Sequence, residues 1–209
     1  MRKGNIVLDG FMRKIIDGPL NQVGRQLAKT GISANTVTLL GLGIGLIAAL
    51  FIALGNVQVG LWLLLISRIA DGLDGAVARA TQKTDFGGFW DIVADFFFYG
   101  AIPVAFVFLD PTNNAIAGAV LLMSFYFNGG TFLGYAILAE KHKLSTEQRG
   151  SKSLYFSTGL LEGTETIAFF AAICIWPQYF AIMAYVFAAA CFYTAASRIW
   201  LAYQEFAKI

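Results

Sequence analysis

The sequence predicts an all-α polytopic membrane protein: six transmembrane helices preceded by an amphipathic helix at the membrane interface. Three observations lead there. Of 209 residues, 57% are hydrophobic and 13% charged, with a mean hydropathy of +0.65, too apolar for a soluble domain of this size. The apolar residues fall into six runs, each near or above the roughly 20 residues that a bilayer core requires. Lys and Arg cluster in alternate joints between those runs, as the positive-inside rule demands of a membrane protein.

Residues 1–34 form a polar juxtamembrane region, and residues 35–209 the transmembrane domain. The first region lacks the short apolar core and small-residue cleavage site of a signal peptide, so no cleavage is expected. Val7, Leu8, Phe11, Met12, Ile15 and Ile16 recur at three-to-four spacing beside Arg2, Lys3, Arg13 and Lys14, the pattern of a helix lying on a membrane surface. Gly18-Pro19 is expected to end that helix, with a second short one carrying Leu20, Val23 and Leu27 beside Arg25 and Lys29. Ser33 or Asn35 is placed to cap the first span, which runs to Gly55 and includes Gly41 and Gly45 at GxxxG spacing, suited to close helix packing. The other spans are expected near 57–80, 87–109, 115–140, 154–176 and 178–203.

The joints at 55–56, 110–114 and 176–178 contain no Lys or Arg. On the other side stand the basic residues of the N-terminal region, then Arg79 and Lys83, then Lys141, Lys143, Arg149 and Lys152, and finally Lys208. Both termini and the second and fourth joints are therefore expected in the cytoplasm. Cys174 and Cys191 lie in apolar runs, without a disulfide framework or a Cys/His metal spacing. A net charge of +2, with no basic run interleaved with exposed aromatics, gives no footprint for nucleic acid.

One apolar stretch is rich in acids. Asp71, Asp74, Asp91 and Asp95 fall within 25 residues of otherwise membrane-like sequence, where each charge costs several kcal/mol unless neutralised. Asp71 and Asp74 are three apart and Asp91 and Asp95 four apart, so each pair lies on one helix face, and the short turn between lets the faces meet. Four converging hard oxygen donors suit Mg²⁺ or Mn²⁺, and Mg²⁺ keeps positions open for substrate phosphates. Gly75 and Gly87 would let a ligand approach closely, and Arg79 could fork onto a phosphate. Asp71 lies about nine residues, roughly 13 Å, before the cytoplasmic end of its helix.

The pattern D-x2-D-G-x2-A-R-x7-G-x3-D-x3-D, read from Asp71 through Gly75, Ala78, Arg79 and Gly87 to Asp95, resembles the signature of the CDP-alcohol phosphotransferase family. The interval between Arg79 and Gly87 is one residue shorter than is usual there. The resemblance covers about residues 35–203, and among family members the chain looks closest to small bacterial inner-membrane ones. It implies a metal-dependent transferase of phospholipid biosynthesis. A substituted phosphate group, from CDP-diacylglycerol or another CDP-alcohol, passes to a hydroxyl acceptor and CMP is released. It further implies two metal ions held by Asp71, Asp74, Asp91 and Asp95, diphosphate binding by Asp71, Gly75, Ala78, Arg79 and Gly87, Asp95 as general base, and a homodimer. Spacing alone does not single out Asp95 as the base. The stretch Ile32-Ser-Ala-Asn35-Thr-Val-Thr38 also resembles the entry to the family's first membrane helix, where an Asn and a Thr recur near the active site.

Arg149, Lys152 and Ser153 could receive an anionic acceptor, for which glycerol 3-phosphate is the first candidate; inositol phosphate, another polyol phosphate, serine and choline stay open. Glu162 and Glu165 either pair with the intraspan arginines Arg68 and Arg198 or line the acceptor pocket. A divalent-cation transporter and an inactive membrane scaffold are the alternatives. The acids' off-centre position and the absence of an evident inverted repeat argue against transport, and the intact Asp motif argues against the scaffold. The orientation is testable: a cysteine at Asn56 should react with a membrane-impermeant thiol reagent added to intact cells, and one at Lys83 only after permeabilisation. The opposite pattern would invert the topology.

Overall fold

The computed structural model of the protein describes residues 8–142 and 163–207, with side chains from Gly18 onward. The described chain is helical throughout: α1 (Leu8–Lys29), α2 (Ala34–Ala53), α3 (Val57–Ala80), α4 (Asp85–Leu109), α5 (Pro111–Lys141), α6 (Gly163–Ile175) and α7 (Phe180–Phe206), with a 3₁₀ turn at Pro177–Tyr179 before the last. Four segments, α2, α4, α5 and Pro177–Phe206, are long and apolar enough to cross a membrane. The expected span at 57–80 forms as α3 with those bounds, but Arg68, Asp71, Asp74 and Arg79 interrupt its apolar sequence. The expected span at 154–176 is described only from Gly163.

Residues beside each turn show why the helices stop where they do. Ser33, rather than Asn35, caps α2, its Oγ accepting from the Thr36 N–H at 3.2 Å. Thr84 caps α4 through the Gly87 N–H at 3.0 Å. Asp110 caps α5 through the Asn113 N–H at 3.2 Å, with Pro111 in the first turn, a position where the missing proline N–H costs nothing. Gly31 and Gly55, at φ 84° and 87°, make the left-handed exits of α1 and α2.

The expected break at Gly18-Pro19 does not occur. Pro19 lies inside a continuous α1. A proline removes one hydrogen bond and crowds the carbonyl four residues earlier, but α1 is held on α3 beyond that point. A Cβ at Gly24 would lie 2.7 Å from that of Ala76, so Gly24 sits directly on the α3 backbone and tertiary packing sets the path of α1. The apolar side chains from Val7 to Ile16 lie outside the described set.

Small residues bring α2, α3 and α4 together. A Cβ at Gly41 would stand 3.2 Å from Ala70, and one at Gly45 would stand 2.6 Å from the Phe98 ring and 2.8 Å from Ser67 Oγ. The predicted GxxxG pair thus packs α2 against both of its neighbours, as expected where hydrocarbon offers no hydrophobic drive between helices. The common core adds Phe98, Phe106, Phe170 and Phe180, all fully buried, with Phe106 and Phe180 stacked at 4.9 Å. Cys174 and Cys191 are buried, as their apolar setting indicates. Trp62, Ile116, Tyr126, Ile137 and Val186 point outward, the arrangement of a bundle whose solvent is lipid.

Gly45→Ala should therefore destabilise the detergent-purified protein by about 1–3 kcal/mol, the usual cost of overpacking. Gly43→Ala, with nothing within 4 Å of the added carbon, should be neutral or mildly stabilising. Thermal unfolding of the two variants checks the contrast.

Candidate active site

The cytoplasmic-side expectations converge on one corner, where α3 ends at Ala80, residues 81–84 turn the chain, and α4 begins at Asp85. Because both helices run to this corner, Asp74 and Asp91 lie near it, and Asp71 and Asp95 one turn further in. Asp71, Asp91 and Asp95 present oxygens that all lie within 4.8 Å of one another. All three are half-buried. Three hard donors from two helices at that separation fit a divalent cation of the Mg²⁺ or Mn²⁺ class.

The fourth predicted ligand behaves differently. Asp74 is only 6% exposed, and its Oδ2 accepts a 2.6 Å hydrogen bond from Thr38 Oγ1 of α2. It is therefore absent from the tight cluster: the i+3 spacing puts it on the face of Asp71, but a buried hydroxyl on the neighbouring helix draws its carboxylate aside. The convergence predicted for four carboxylates holds for three.

Nor does the cluster lack a cation of its own. Arg68, one turn before Asp71, places Nη1 2.8 Å from Asp95 Oδ1 and 3.3 Å from Asp71 Oδ1. The sequence offers this arginine as one of two partners for Glu162 and Glu165, with the acceptor pocket as the other place for those glutamates. Its guanidinium instead serves the aspartates, because i,i+3 spacing and the approach of α4 put them within reach. Glu162 lies outside the described residues, and Glu165 stands in the first turn of α6. Arg198 donates from Nη1 to the carbonyl and Oδ1 of Asn128 and to Thr131 Oγ1, at 2.8–3.0 Å.

Beside the carboxylates lies a cavity of about 570 Å³, large enough for a nucleotide-sized ligand. The α1–α2 loop and the start of α2 form one wall with Ile32, Ser33, Asn35 and Thr38; Asp74, Gly75, Ala78 and Arg79 of α3 form another; Gln82, Lys83, Thr84, Gly87 and Asp91 close it. Every residue the sequence marked for diphosphate binding except Asp71 lines this space. The glycines keep it open: a Cβ at Gly75 would lie 3.3 Å from Arg79 Nη1, and one at Gly87 would lie 3.0 Å from Thr84 Oγ1 and 3.2 Å from Asn35 Oδ1. Arg79 does not hang free. Its Nε and Nη2 both donate to Asn21 Oδ1 of α1, at 3.1 and 2.9 Å, so the amphipathic helix holds one edge of the motif arginine.

Arg149, Lys152 and Ser153 lie outside the described residues. Asn21 and Thr84 go unmarked in the sequence, Asn21 because it is separated from its partner by 58 positions, and Lys83 is marked only as a flanking positive charge.

Comparison with known proteins decides the family. Residues 32–203 match the CDP-alcohol phosphatidyltransferase family, and the chain is 43% identical over 197 residues to the inner membrane protein YnjF of Escherichia coli K12, covering 94% of this chain and 96% of that one. This chain belongs to the CDP-alcohol phosphatidyltransferase family. It is an integral membrane transferase of phospholipid biosynthesis. The archaetidylinositol phosphate synthase of Pyrococcus horikoshii is 39% identical over 85 residues, 40% of this transferase and 45% of the archaeal protein. The crystal structure of the Mycobacterium tuberculosis phosphatidylinositol phosphate synthase PgsA1 with CDP-DAG bound shares the fold, with a TM-score of 0.72 at 20% identity, covering 88% of this transferase and 93% of that chain. The same enzyme with manganese and citrate superposes with a TM-score of 0.68, covering 86% and 87%.

If the cavity receives the substrate's nucleotide end, Gly87→Val should lower CMP release about tenfold, near 1.4 kcal/mol, with little change in thermal stability. Gly88→Ala, which meets nothing within 4 Å, should leave both unchanged. Steady-state rates of the two purified variants make the comparison.

Proposed function

We propose that this transferase moves a phosphatidyl group from CDP-diacylglycerol to the hydroxyl of a phosphate-bearing polyol and releases CMP. The observation that carries the reading is the juxtaposition of the Asp71, Asp91 and Asp95 oxygens with a cavity edged by Gly75, Ala78, Arg79 and Gly87. Asp71, Asp91 and Asp95, with Asp74 beside them, would hold Mg²⁺ or Mn²⁺, two ions in our reading, and the metal supplies charge neutralisation for the diphosphate and the departing CMP. The manganese in the PgsA1 structure supports this choice of ion.

The chain's own residues account for the remaining steps. Arg79, tethered by Asn21 through Nε and Nη2, has Nη1 left to meet a phosphate oxygen. Gly75 and Gly87 let the diphosphate lie against the helix backbones. Arg68 holds Oδ1 of Asp95, so Oδ2 is the atom that takes the acceptor's hydroxyl proton. The acceptor oxygen bonds to the phosphorus distal to cytidine, the bond from that phosphorus to the CMP oxygen breaks, and Asp95 returns its proton to water. The half-buried site on α3 and α4 lets the lipid's acyl chains stay among the outward apolar side chains while the nucleotide end enters the cavity.

Glycerol 3-phosphate is our first acceptor, received by Arg149, Lys152 and Ser153. Similarity to the archaetidylinositol phosphate synthase of Pyrococcus and the phosphatidylinositol phosphate synthase of Mycobacterium favours inositol phosphate as the second. The Lys/Arg distribution and the inner-membrane relative support a bacterial inner membrane with the site and both termini facing the cytoplasm. We also assign residues 1–34 to a surface helix region and 35–209 to one transferase domain. The assembly we assign is a homodimer; an added Cβ at Gly130 or Gly134 would meet no atom within 4 Å among the described residues, which leaves α5 open to a close approach.

Purified protein with CDP-diacylglycerol and Mn²⁺ should release CMP only when glycerol 3-phosphate or inositol phosphate is added, and not with serine or choline. Release driven by serine or choline would overturn the phosphate-bearing acceptor. Asp95→Asn should abolish turnover while keeping most metal-dependent CDP-lipid binding, and Asp71→Asn should weaken Mn²⁺ binding itself. An Asp95→Asn enzyme that kept most of its rate would remove Asp95 from the role of base.

A further inference from the structure

Arg68 is more than a neighbour of the carboxylates: one face of its guanidinium and both terminal nitrogens are engaged. One face lies on the fully buried Phe98 ring, with Cζ 3.8 Å from the centroid. Nη1 serves Asp95 and Asp71, and Nη2 donates to Ser67 Oγ at 3.2 Å. Ser67 in turn donates to the Gly41 carbonyl at 2.7 Å. The side chain is 8% exposed, and Nε is buried without a hydrogen-bond partner among the described residues. A charged group in that position, with a polar atom unsatisfied, costs stability unless the charges it faces need it. Gly45 is what admits the assembly, since a Cβ there would strike both Phe98 and Ser67. Stacking, two ion pairs and the Ser67–Gly41 relay fix the guanidinium in one place, so it is not a loose cation free to leave when a metal arrives.

We infer that Arg68 is the resident counterion of the carboxylate cluster: it occupies Oδ1 of Asp71 and Oδ1 of Asp95, holds the two helices' acids together without divalent ions, and keeps this place when ions bind. It is a positioning residue, acting on metal and substrate through the aspartates. The consequence is a division of the oxygens: the Oδ1 atoms of Asp71 and Asp95 face the guanidinium, and their Oδ2 atoms serve ion and acceptor. Arg68 cancels one of the triad's three charges, so the first ion to bind meets a net charge of two and a second ion needs the charge of the substrate's diphosphate. This inference rests on the proposed metal site for its second half only; the pairing itself does not need a metal.

The test is thermal unfolding of full-length protein in detergent, in EDTA and in Mn²⁺, for wild type, Arg68→Met, Arg68→Lys, Asp95→Asn and the Arg68→Met/Asp95→Asn double variant. In EDTA, Arg68→Met should melt well below wild type, and adding Asp95→Asn should recover part of that loss, because the carboxylate left without its counterion is gone. The rise in melting temperature on adding Mn²⁺ should be larger for Arg68→Met than for wild type, since the ion then supplies charge that the arginine no longer does. Arg68→Lys should keep a shift near that of wild type. If Asp95→Asn gives no recovery in EDTA, Arg68 is a packing residue and the inference fails. If the Mn²⁺ shift of Arg68→Met equals or falls below that of wild type, the counterion role fails. Should Arg68→Met not fold, the double variant must fold for the inference to stand, and failure of both overturns it. A wild type with no Mn²⁺ shift, alongside recovery in the double variant, would reject the metal site and keep the Arg68 pairing.

Discussion

Three carboxylates whose oxygens lie within 4.8 Å of one another repel by about 3 kcal/mol or more per pair at an effective dielectric near 20. Apolar helices do not gather such charges without a reason. The fold meets the repulsion in two ways: a buried guanidinium on α3 bridges Asp71 and Asp95, and a hydroxyl on α2 takes Asp74 out of the cluster. Both devices require α2 to lie almost against α3 on one side and α4 on the other, which is the work of Gly41 and Gly45. The packing of the bundle and the electrostatics of the site are thus one constraint, because a larger side chain at Gly45 would displace the ring and the serine that fix Arg68.

The cavity adds a second layer of positioning. Its floor is the motif, but its outer wall comes from the α1–α2 loop and the start of α2, and its arginine is held by Asn21 of α1. The first helix thus reaches the arginine at the edge of the cavity, so α1 and the motif are held together by a side-chain contact as well as by backbone packing. The proposed lipid with a nucleotide head would lie with its tails among outward apolar side chains and its head in this polar recess.

Much of this was legible in the sequence because both signals are strong. Long apolar runs report spans directly, and four acids inside such runs at i,i+3 and i,i+4 report a site, since the cost of burying them rules out accident. The GxxxG pair in α2 was read correctly as close packing. What the sequence hid was pairing across helices. Nothing local says that Asp74 turns to Thr38, 36 residues away, or that Arg68 reaches Asp95, 27 residues on. Gly18-Pro19 misled for the opposite reason: it is a strong local signal that packing of Gly24 on Ala76 overrides. The spacing before Gly87, one residue short of the family's usual interval, does not prevent Gly87 and Asp91 from lining the same cavity as Asp74 and Arg79.

The central claim is that Asp71, Asp91 and Asp95 form one metal-binding centre beside the nucleotide cavity. Anomalous diffraction from crystals of the protein grown with Mn²⁺ and CDP tests it most directly. The account predicts manganese density within coordination distance, about 2.0–2.3 Å, of oxygens from all three aspartates, with the Arg68 guanidinium still on Asp95 and the diphosphate in the cavity. Manganese bound elsewhere, or nucleotide bound in the cavity with no metal at the three carboxylates, would contradict it.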